Sequence, residues 1–473
     1  MAASSSLVLF PNQLFEPALL KSMRLHVATI YFIEDPLFYG NRKGSGAVEN
    51  LQLNQLRILY MYLSHQRYIQ SLKAAGFKVI YKGIQDLWKT PRDYSFLPPH
   101  CMLFDPCDQL LLKHLPSHCV VLDSPSFILT AADIHTYAPP STPTKRLQHA
   151  TFYTFVKQKL RILTDTPSQD KYNRAPYSKA LIEPPSPFNH LFSRPLEWEA
   201  AVRWLEKTPF AKNPKPSLPW NELIRTYCVH LPLTTTDVRM WLNDFIKQRL
   251  DLYGKYQDVV IPTNPLLYHS GLSIYLNNGL ITPMEVIRAV QRKKTALQNY
   301  EGFVRQVIGW REYCRMYYLH VATSEYRKNI FHQKNTPKLS LEWYEGKTAV
   351  PIVNETIQYA FNYGYINHIQ RLMIISNYMT LSNIHPDHVY RWMYEFSLDS
   401  YEWVMVFNCY SMGTWSDGGL AMRKPYISSA NYIIKMSKTP RSGEWVTHWN
   451  ARFHAFLTKH TDILKHTQLA NLL

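Results

Sequence analysis

Over roughly its first 130 residues the chain alternates short apolar, β-branched runs with longer stretches of helical period. The runs at Leu7–Phe10, His26–Glu34, Lys78–Tyr81, Met102–Phe104 and Val120–Leu122 predict strands. A long helical pattern from Leu51 to Ala75, closed by Gly76, and a shorter one at Asp108–Leu115 fall between them. Strand–helix–strand alternation predicts a doubly wound parallel α/β sheet over residues 1–132. No Gly-x-Gly-x-x-Gly follows any strand, which excludes a dinucleotide fingerprint there. Ligands of such sheets collect beyond the carboxyl ends of the strands, where Pro11-Asn12-Gln13 and Glu34-Asp35 stand.

The texture changes over residues 133–232. A proline-rich segment, Ala138-Pro139-Pro140-Ser141-Thr142-Pro143, precedes a basic helix carrying Lys157, Lys159 and Arg161. Irregular chain through Pro176, Pro184-Pro185 and Pro187 then predicts a connector, with short helices near Leu196–Lys207 and Trp220–His230. From 233 to 473 nearly everything has helical period, so this part is expected to be an all-α domain of about ten helices. Thr235, Thr236 and Asp237 can cap a helix running to Tyr253 and ended by Gly254. Phe303, Val307, Trp310, Cys314 and Tyr317 share one helix face, and Ile366, Ile369, Met373 and Met379 share another.

Composition narrows the function. Hydrophobic residues make up 46% and charged residues 18%, which is globular. The 52 Lys and Arg against 35 Asp and Glu give a net charge of +17, the signature of a polyanionic partner, with nucleic acid first. Six cysteines (Cys101, Cys107, Cys119, Cys228, Cys314, Cys409) form no Cys-x-x-Cys and no zinc spacing, so no metal site is expected. The short apolar run after Met1 does not read as a signal peptide, and no stretch approaches the ~20 apolar residues of a membrane helix. The expectation is a soluble intracellular protein with access to DNA and no membrane partner.

Three segments carry candidate chemistry. His269-Ser270-Gly271-Leu272-Ser273 sets two hydroxyls and an imidazole about a glycine just before a helix, a plausible pyrophosphate seat; Ser and Gly there are more often only a cap. Trp310-Arg311-Glu312, with Arg315 a turn on, could stack on a base and meet phosphates, or could be a core indole beside a solvated face. His368 and Arg371 share a helix face. That histidine could donate a proton near neutral pH, although a lone helical histidine is more often a hydrogen-bonded core residue. Twelve Trp, 32 Tyr and 21 Phe pack a core or relay electrons to a redox cofactor.

Taken in order, longer strings resemble the photolyase/cryptochrome family. They are residues 269–279 (HSGLSIYLNNG), 301–312 (EGFVRQVIGWRE) and 368–373 (HIQRLM), followed by Tyr401-Glu402-Trp403, Asp417-Gly418-Gly419, Lys424-Pro425-Tyr426 and Asn431-Tyr432. The branch most similar is the bacterial (6-4) photolyase-related group, whose members usually hold an iron–sulfur cluster. The resemblance implies FAD in the helical domain, held by Tyr253, Asp258, His269, Ser270, Leu272 and Ser273. Gln306, Arg311, Asp399 and Asn408 would face the flavin or its ribose. His368, beside Asn367, would be the proton donor of the reaction, with Trp310 and Tyr426 enclosing the lesion. Arg315, Arg371 and Lys171 would meet DNA, and Trp392, Trp343 and Tyr344 would relay electrons. A lumazine-type antenna would lie near Asn12, Gln13, Glu34 and Tyr39.

The sequence also departs from that branch. Ile352 stands at its first cluster-cysteine position and no cysteine follows Ser437, so no iron–sulfur cluster is expected and packing or polar contacts in the C-terminal tail must replace its stabilisation. Asn367 replaces one of a histidine pair, Ala175 and Met405 replace acids, and Met393 stands where the branch often has Tyr. The implied function is light-driven repair of UV photoproducts in DNA by a monomeric flavoprotein lyase, (6-4) type before cyclobutane type. A cryptochrome-like photoreceptor without repair is the main rival, and a flavin-free DNA-binding protein the lesser one.

Overall fold

The computed structural model describes residues 5–45, 48–88, 93–143, 147–189 and 191–472. Five parallel strands, β1 (Ser5–Leu9), β2 (Val27–Ile33), β3 (Lys78–Lys82), β4 (Cys101–Phe104) and β5 (Val120–Leu122), form one sheet in the order β3-β2-β1-β4-β5. Central β1 pairs Leu7 with Ile30 on one side and Met102 on the other. Leu7, Val8 and Leu9 have no exposed surface, which is why β1 reads as a continuous apolar run rather than an alternation. The order reverses between β1 and β4, placing the switch point of the sheet at the loop that carries Asn12 and Gln13. The doubly wound sheet is thus as expected.

The connector contains the helices His149–Leu160, Pro195–Leu205 and Trp220–Thr226. Beyond it the chain is helical to its end. The helix expected to run to Tyr253 is two helices, Thr235–Gln248 and Leu250–Tyr256, parted at Arg249. Its cap is Thr234, whose hydroxyl accepts from the Asp237 amide in a reciprocal capping box. Gly254 does not end it. That glycine lies inside the second helix because a Cβ there would fall 2.2 Å from Asn173 Oδ1, where the connector crosses the helical domain.

Two sets of buried polar contacts dock the sheet domain on the helical one. Arg57, from the Gln55–Ala74 helix, donates to the carbonyls of Tyr394 (2.9 Å) and Ser400 (2.6 Å), and Asn54 donates to that of Phe361. Fully buried Glu312 accepts from the Ile128 and Leu129 amides, while Arg315 bonds Leu129 O and Asp105. Bonds to a charged group are each worth about 1.5–3 kcal/mol, so these hold the domains in one relative position. At the C-terminus, the Glu444–Lys459 helix buries Trp445, Trp449, Phe453, Phe456 and Leu457. Trp449 stacks on Tyr378 at 5.0 Å and donates to Ser428 O. Apolar packing and hydrogen bonds, among them Ala430 N to Asn450 Oδ1, together seat the tail. Among the described residues no helix is long and apolar enough to cross a membrane.

Candidate functional site

Three helical segments of the C-terminal domain widen into π turns: Arg305–Trp310, Gln370–Ser376 and Phe407–Gly413. A π turn inserts one extra residue into the helical ladder, redirects side chains, and is concentrated at functional sites. Each contains sequence-predicted site residues: Gln306 and Trp310, then Arg371, then Asn408. Periodicity alone could not reveal these turns, because the apolar spacing of the flanking helices hides one extra residue.

His269, Arg311 and Tyr365 are half-buried and the His368 side chain is exposed, although protein atoms crowd all four. A group crowded by protein that still keeps accessible surface lies in a concavity, which is the candidate hollow of this domain. Burial lowers the His368 pKa to about 4, helped by the Arg371 cation and His269. His269 is likewise pushed down to about 4 by burial, against hydrogen bonds to Gln257 O (2.9 Å) and Leu266 O. Both imidazoles are neutral at pH 7 in this state.

The 269–273 segment is shaped by one glycine. Gly271 has φ +64°, and a Cβ there would sit 2.8 Å from Leu266, so only glycine turns the chain into the short Ser273–Asn277 helix. Trp241 Nε1 pins Ser270 O at 2.7 Å, and Leu272 N donates to Ser270 Oγ. Ser273 Oγ donates to Asp399 at 2.6 Å. Asp399 also accepts from Ser397 and from Arg371 (2.9 and 3.2 Å). Although burial raises its pKa, these partners hold the carboxyl below the usual aspartate range. Tyr253 meets His269 edge-on at 6.2 Å. Farther along, Asp258 lies 3.8 Å from Arg174, and burial raises its carboxyl to about 6. Its charge reaches Tyr426 and Tyr432, so these groups share one side of the site.

Asn367, beside the implied proton donor, is held by backbone and side-chain bonds. Its Oδ1 accepts from Gln370 N (3.0 Å), its own amide donates to Gln370 Oε1 (3.1 Å), and its Nδ2 reaches Pro265 O. This reciprocal cap starts the helix at His368, and Asn367 itself is 1% exposed.

Arg371 belongs to the cavity wall: its charge is engaged by Asp399 and its guanidinium lies over Phe396 and Tyr365. Arg315 is fully buried and bonded inside the domain interface, which removes it from any DNA-facing surface. Arg311 lies over Trp403 and Phe127 and donates to Ser126 O and Leu276 O, leaving Nε and Nη1 unpartnered. Trp310 stacks on His149 of the connector at 3.6 Å. Lys171 is exposed beside Tyr172, itself 61% exposed. Gln306 and Asn408 each bond a carbonyl four residues back, Gly302 and Val404. The sequence reading missed Arg249. It is 1% exposed, paired with Asp244, has Nε and Nη1 unpartnered, and is close enough to His269 to depress its pKa. A charge following the apolar Phe245-Ile246 was the available signal, but at a helix end it passes for a dipole partner.

Trp392 donates to Trp343 O at 2.6 Å and contacts Phe396 (4.8 Å) and Phe361 (5.6 Å), which contacts Tyr344 (5.7 Å). Trp392 and Tyr344 are thus linked through Phe361 in an aromatic cluster that begins at Phe396, under Arg371, whereas Trp343 joins it through its backbone carbonyl and turns its ring to Tyr378 (5.6 Å). The antenna candidates also converge, at the carboxyl ends of the strands. Their polar atoms bond inward: Gln13 to Phe104 O, Asn12 to Pro106 O, and Glu34 to His65, Tyr81 and the Ile84 amide. Tyr39 completes the group 3.4 Å from His65, while Asn12 Oδ1 is buried and unpartnered.

Comparison with known proteins agrees with this architecture. Residues 7–211 match the family described as deoxyribodipyrimidine photo-lyase-related protein. The chain is 36% identical over 246 residues to a (6-4) photolyase of Agrobacterium fabrum, covering 49% of this chain and 48% of that one, so it spans about half of that relative's length. An uncharacterised protein of Acanthamoeba polyphaga mimivirus is 48% identical over 93 residues, 20% of this chain and 76% of that one. Among solved structures, a class III photolyase from Agrobacterium tumefaciens superposes with a TM-score of 0.60 at 16% identity over 98% of both chains. The Synechocystis cryptochrome gives 0.58 at 14% identity, over 99% of this chain and 89% of that one. At those identities the superpositions speak for the fold. With the sequence match, the parallel sheet and the helical domain, the chain belongs to the photolyase/cryptochrome superfamily and is related to its (6-4) photolyase branch.

Proposed function

We propose that this protein is an FAD-dependent, light-driven lyase that repairs UV photoproducts in DNA, (6-4) adducts in particular. The observation carrying this reading is His368: solvent-accessible at the helix start that Asn367 caps, desolvated by its surroundings, and close to Arg371 and His269. The wall fits a dinucleotide. Ser270, Ser273 and the two histidines offer hydrogen bonds, and buried Arg249, close enough to depress the His269 pKa, adds positive charge suited to a diphosphate. Tyr253, Asp258, Leu272, Gln306, Asp399 and Asn408 would complete the flavin contacts. FAD, when bound, would supply the light-absorbing, redox-active ring.

The chain's own residues do the rest. The damaged base must leave the duplex to reach the hollow, which unstacking at a lesion makes cheap. Trp310 and Tyr426 flank it, and Lys171 and the +17 net charge favour the phosphate backbone. His368 must carry a proton to donate one, and with a pKa of about 4 it does so at neutral pH only once anionic groups approach. Cofactor and lesion phosphates bring that charge, so the acid is armed by substrate. Trp392, Trp343 and Tyr344 would conduct electrons from the surface.

The test is to illuminate the reduced flavoprotein with an oligonucleotide carrying a (6-4) adduct and measure restored bases. Repair that fails with full flavin occupancy, or survives His368→Ala undiminished, refutes the reading. Buried Met405, where the branch has an acid, favours a photoreceptor instead; equal affinity for damaged and intact duplex would support that alternative. A lumazine-type antenna at Asn12, Gln13, Glu34 and Tyr39 is tested by the fluorescence of chromophores released on denaturation. With Ile352 buried in apolar packing, we propose no iron–sulfur cluster.

A further inference from the structure

At the opposite end of the sheet from the proposed antenna position, Cys101 opens β4 and Cys119 immediately precedes β5. The two strands pair in register, Met102 with Val120, so the residues before them are direct neighbours across the ladder. Their Sγ atoms lie 2.6 Å apart. His118 adds an imidazole nitrogen, and the three candidate ligand atoms all lie within 4.8 Å of one another. Sequence spacing concealed this group because Cys101 and Cys119 lie 18 residues apart in the chain and meet only through parallel strand pairing.

We propose that Cys101, Cys119 and His118 form a binding site for a thiophilic divalent cation of the Zn2+ class, with a fourth position open to water. Two thiolates and one imidazole are a zinc donor set, and such ions draw their ligands into a tetrahedron with Zn–S near 2.3 Å. In that geometry the two sulfurs stand about 3.7 Å apart, a separation the cysteines reach by small side-chain rotations. Cys101 is buried, Cys119 half-buried and His118 exposed, so the site has a protein floor and an entry path.

The position gives the ion a structural task. β5 is a three-residue strand at the edge of the sheet, paired with β4, with Val120 and Val121 about half exposed (56% and 50%). Directly after it runs the loop that contacts the helical domain: Ser126 O accepts from Arg311, the Ile128 and Leu129 amides donate to Glu312, and Leu129 O accepts from Arg315. A clasp at the start of β5 anchors the strand from which this docking loop departs.

The experiment is metal analysis of the full-length protein purified under reducing conditions, followed by Co2+ substitution. The expected result is one zinc per chain. Co2+ should give tetrahedral d–d bands at red wavelengths, beyond the absorbance of oxidised flavin, that zinc displaces. Cys101→Ser/Cys119→Ser should abolish both signals. His118→Ala, an exposed position that leaves the fold intact, should weaken binding at least about tenfold. Substoichiometric zinc, metal content unchanged by the cysteine pair, or a Cys101–Cys119 disulfide seen as a two-hydrogen mass loss without bound metal would each overturn the proposal. None of these readouts depends on flavin binding or repair.

Discussion

Asp399→Asn removes one negative charge while nearly conserving shape, where a single carboxylate gathers Ser273 Oγ (2.6 Å), Ser397 Oγ and two guanidinium donors of Arg371 (2.9 and 3.2 Å). The asparagine oxygen still accepts on one side, but its NH2 turns a donor toward donors on the other. About two charge-assisted bonds are lost, each worth at least about 1.5 kcal/mol. Arg371 keeps Ile366 O and Ser397 Oγ and some hydration, its side chain being 13% exposed. The sum is about 3 kcal/mol, at the lower end of what breaking a buried ion pair costs. Because its partners depress the folded pKa of Asp399, the native state binds this proton less readily than the unfolded chain. The stabilisation is therefore present above the unfolded value of about 3.9 and is lost as pH falls through the folded one. Urea unfolding followed by tryptophan fluorescence should show the full gap between wild type and variant at pH 7, undiminished down to about pH 5 and closing in acid. A gap under about 1 kcal/mol at pH 7, or one that does not close in acid, would refute the assignment of net stabilisation to this carboxylate.

The same geometry has other measurable consequences. Asp258 has the opposite sign: burial lifts its pKa from 3.8 to about 6, so stability present at low pH is lost as pH rises through that value. Asp258→Asn should be more stable than wild type by roughly 2–3 kcal/mol at pH 8 and equal to it near pH 4, read from paired urea titrations of flavin-free protein. Trp449→Ala empties the site where the last long helix stacks on Tyr378, and should lower stability by about 3–5 kcal/mol in denaturant titration. Gly271→Ala forces a left-handed residue costing about 1–2 kcal/mol and presses on Leu266; the expected result is less flavin retained per chain on gel filtration, with far-ultraviolet dichroism unchanged.

The chain by itself determined the sheet domain, because a buried parallel strand must be apolar along its length and the runs at 7–10 and 102–104 are. It also marked segments that meet in the fold: Ser273 and Arg371 share Asp399, Arg311 donates to Leu276 O, and His269 lies close enough to His368 to affect its pKa. What it could not give was the direction of each side chain. Arg315 and Arg371 read as surface cations, and only packing decides that one is bonded inside the domain interface and the other balanced by Asp399. Asn367 read as a lost histidine, and only the structure shows that its reciprocal bonds with Gln370 cap the helix on which His368 stands. The helix break at Arg249 and the three π turns escape a pattern of period 3.6, since one extra residue in a turn leaves apolar spacing nearly unchanged while rotating the side chains of the next turns. The pairing of Cys101 with Cys119 is the same lesson at longer range: sequence records separation along the chain, and strand register alone makes distant residues neighbours.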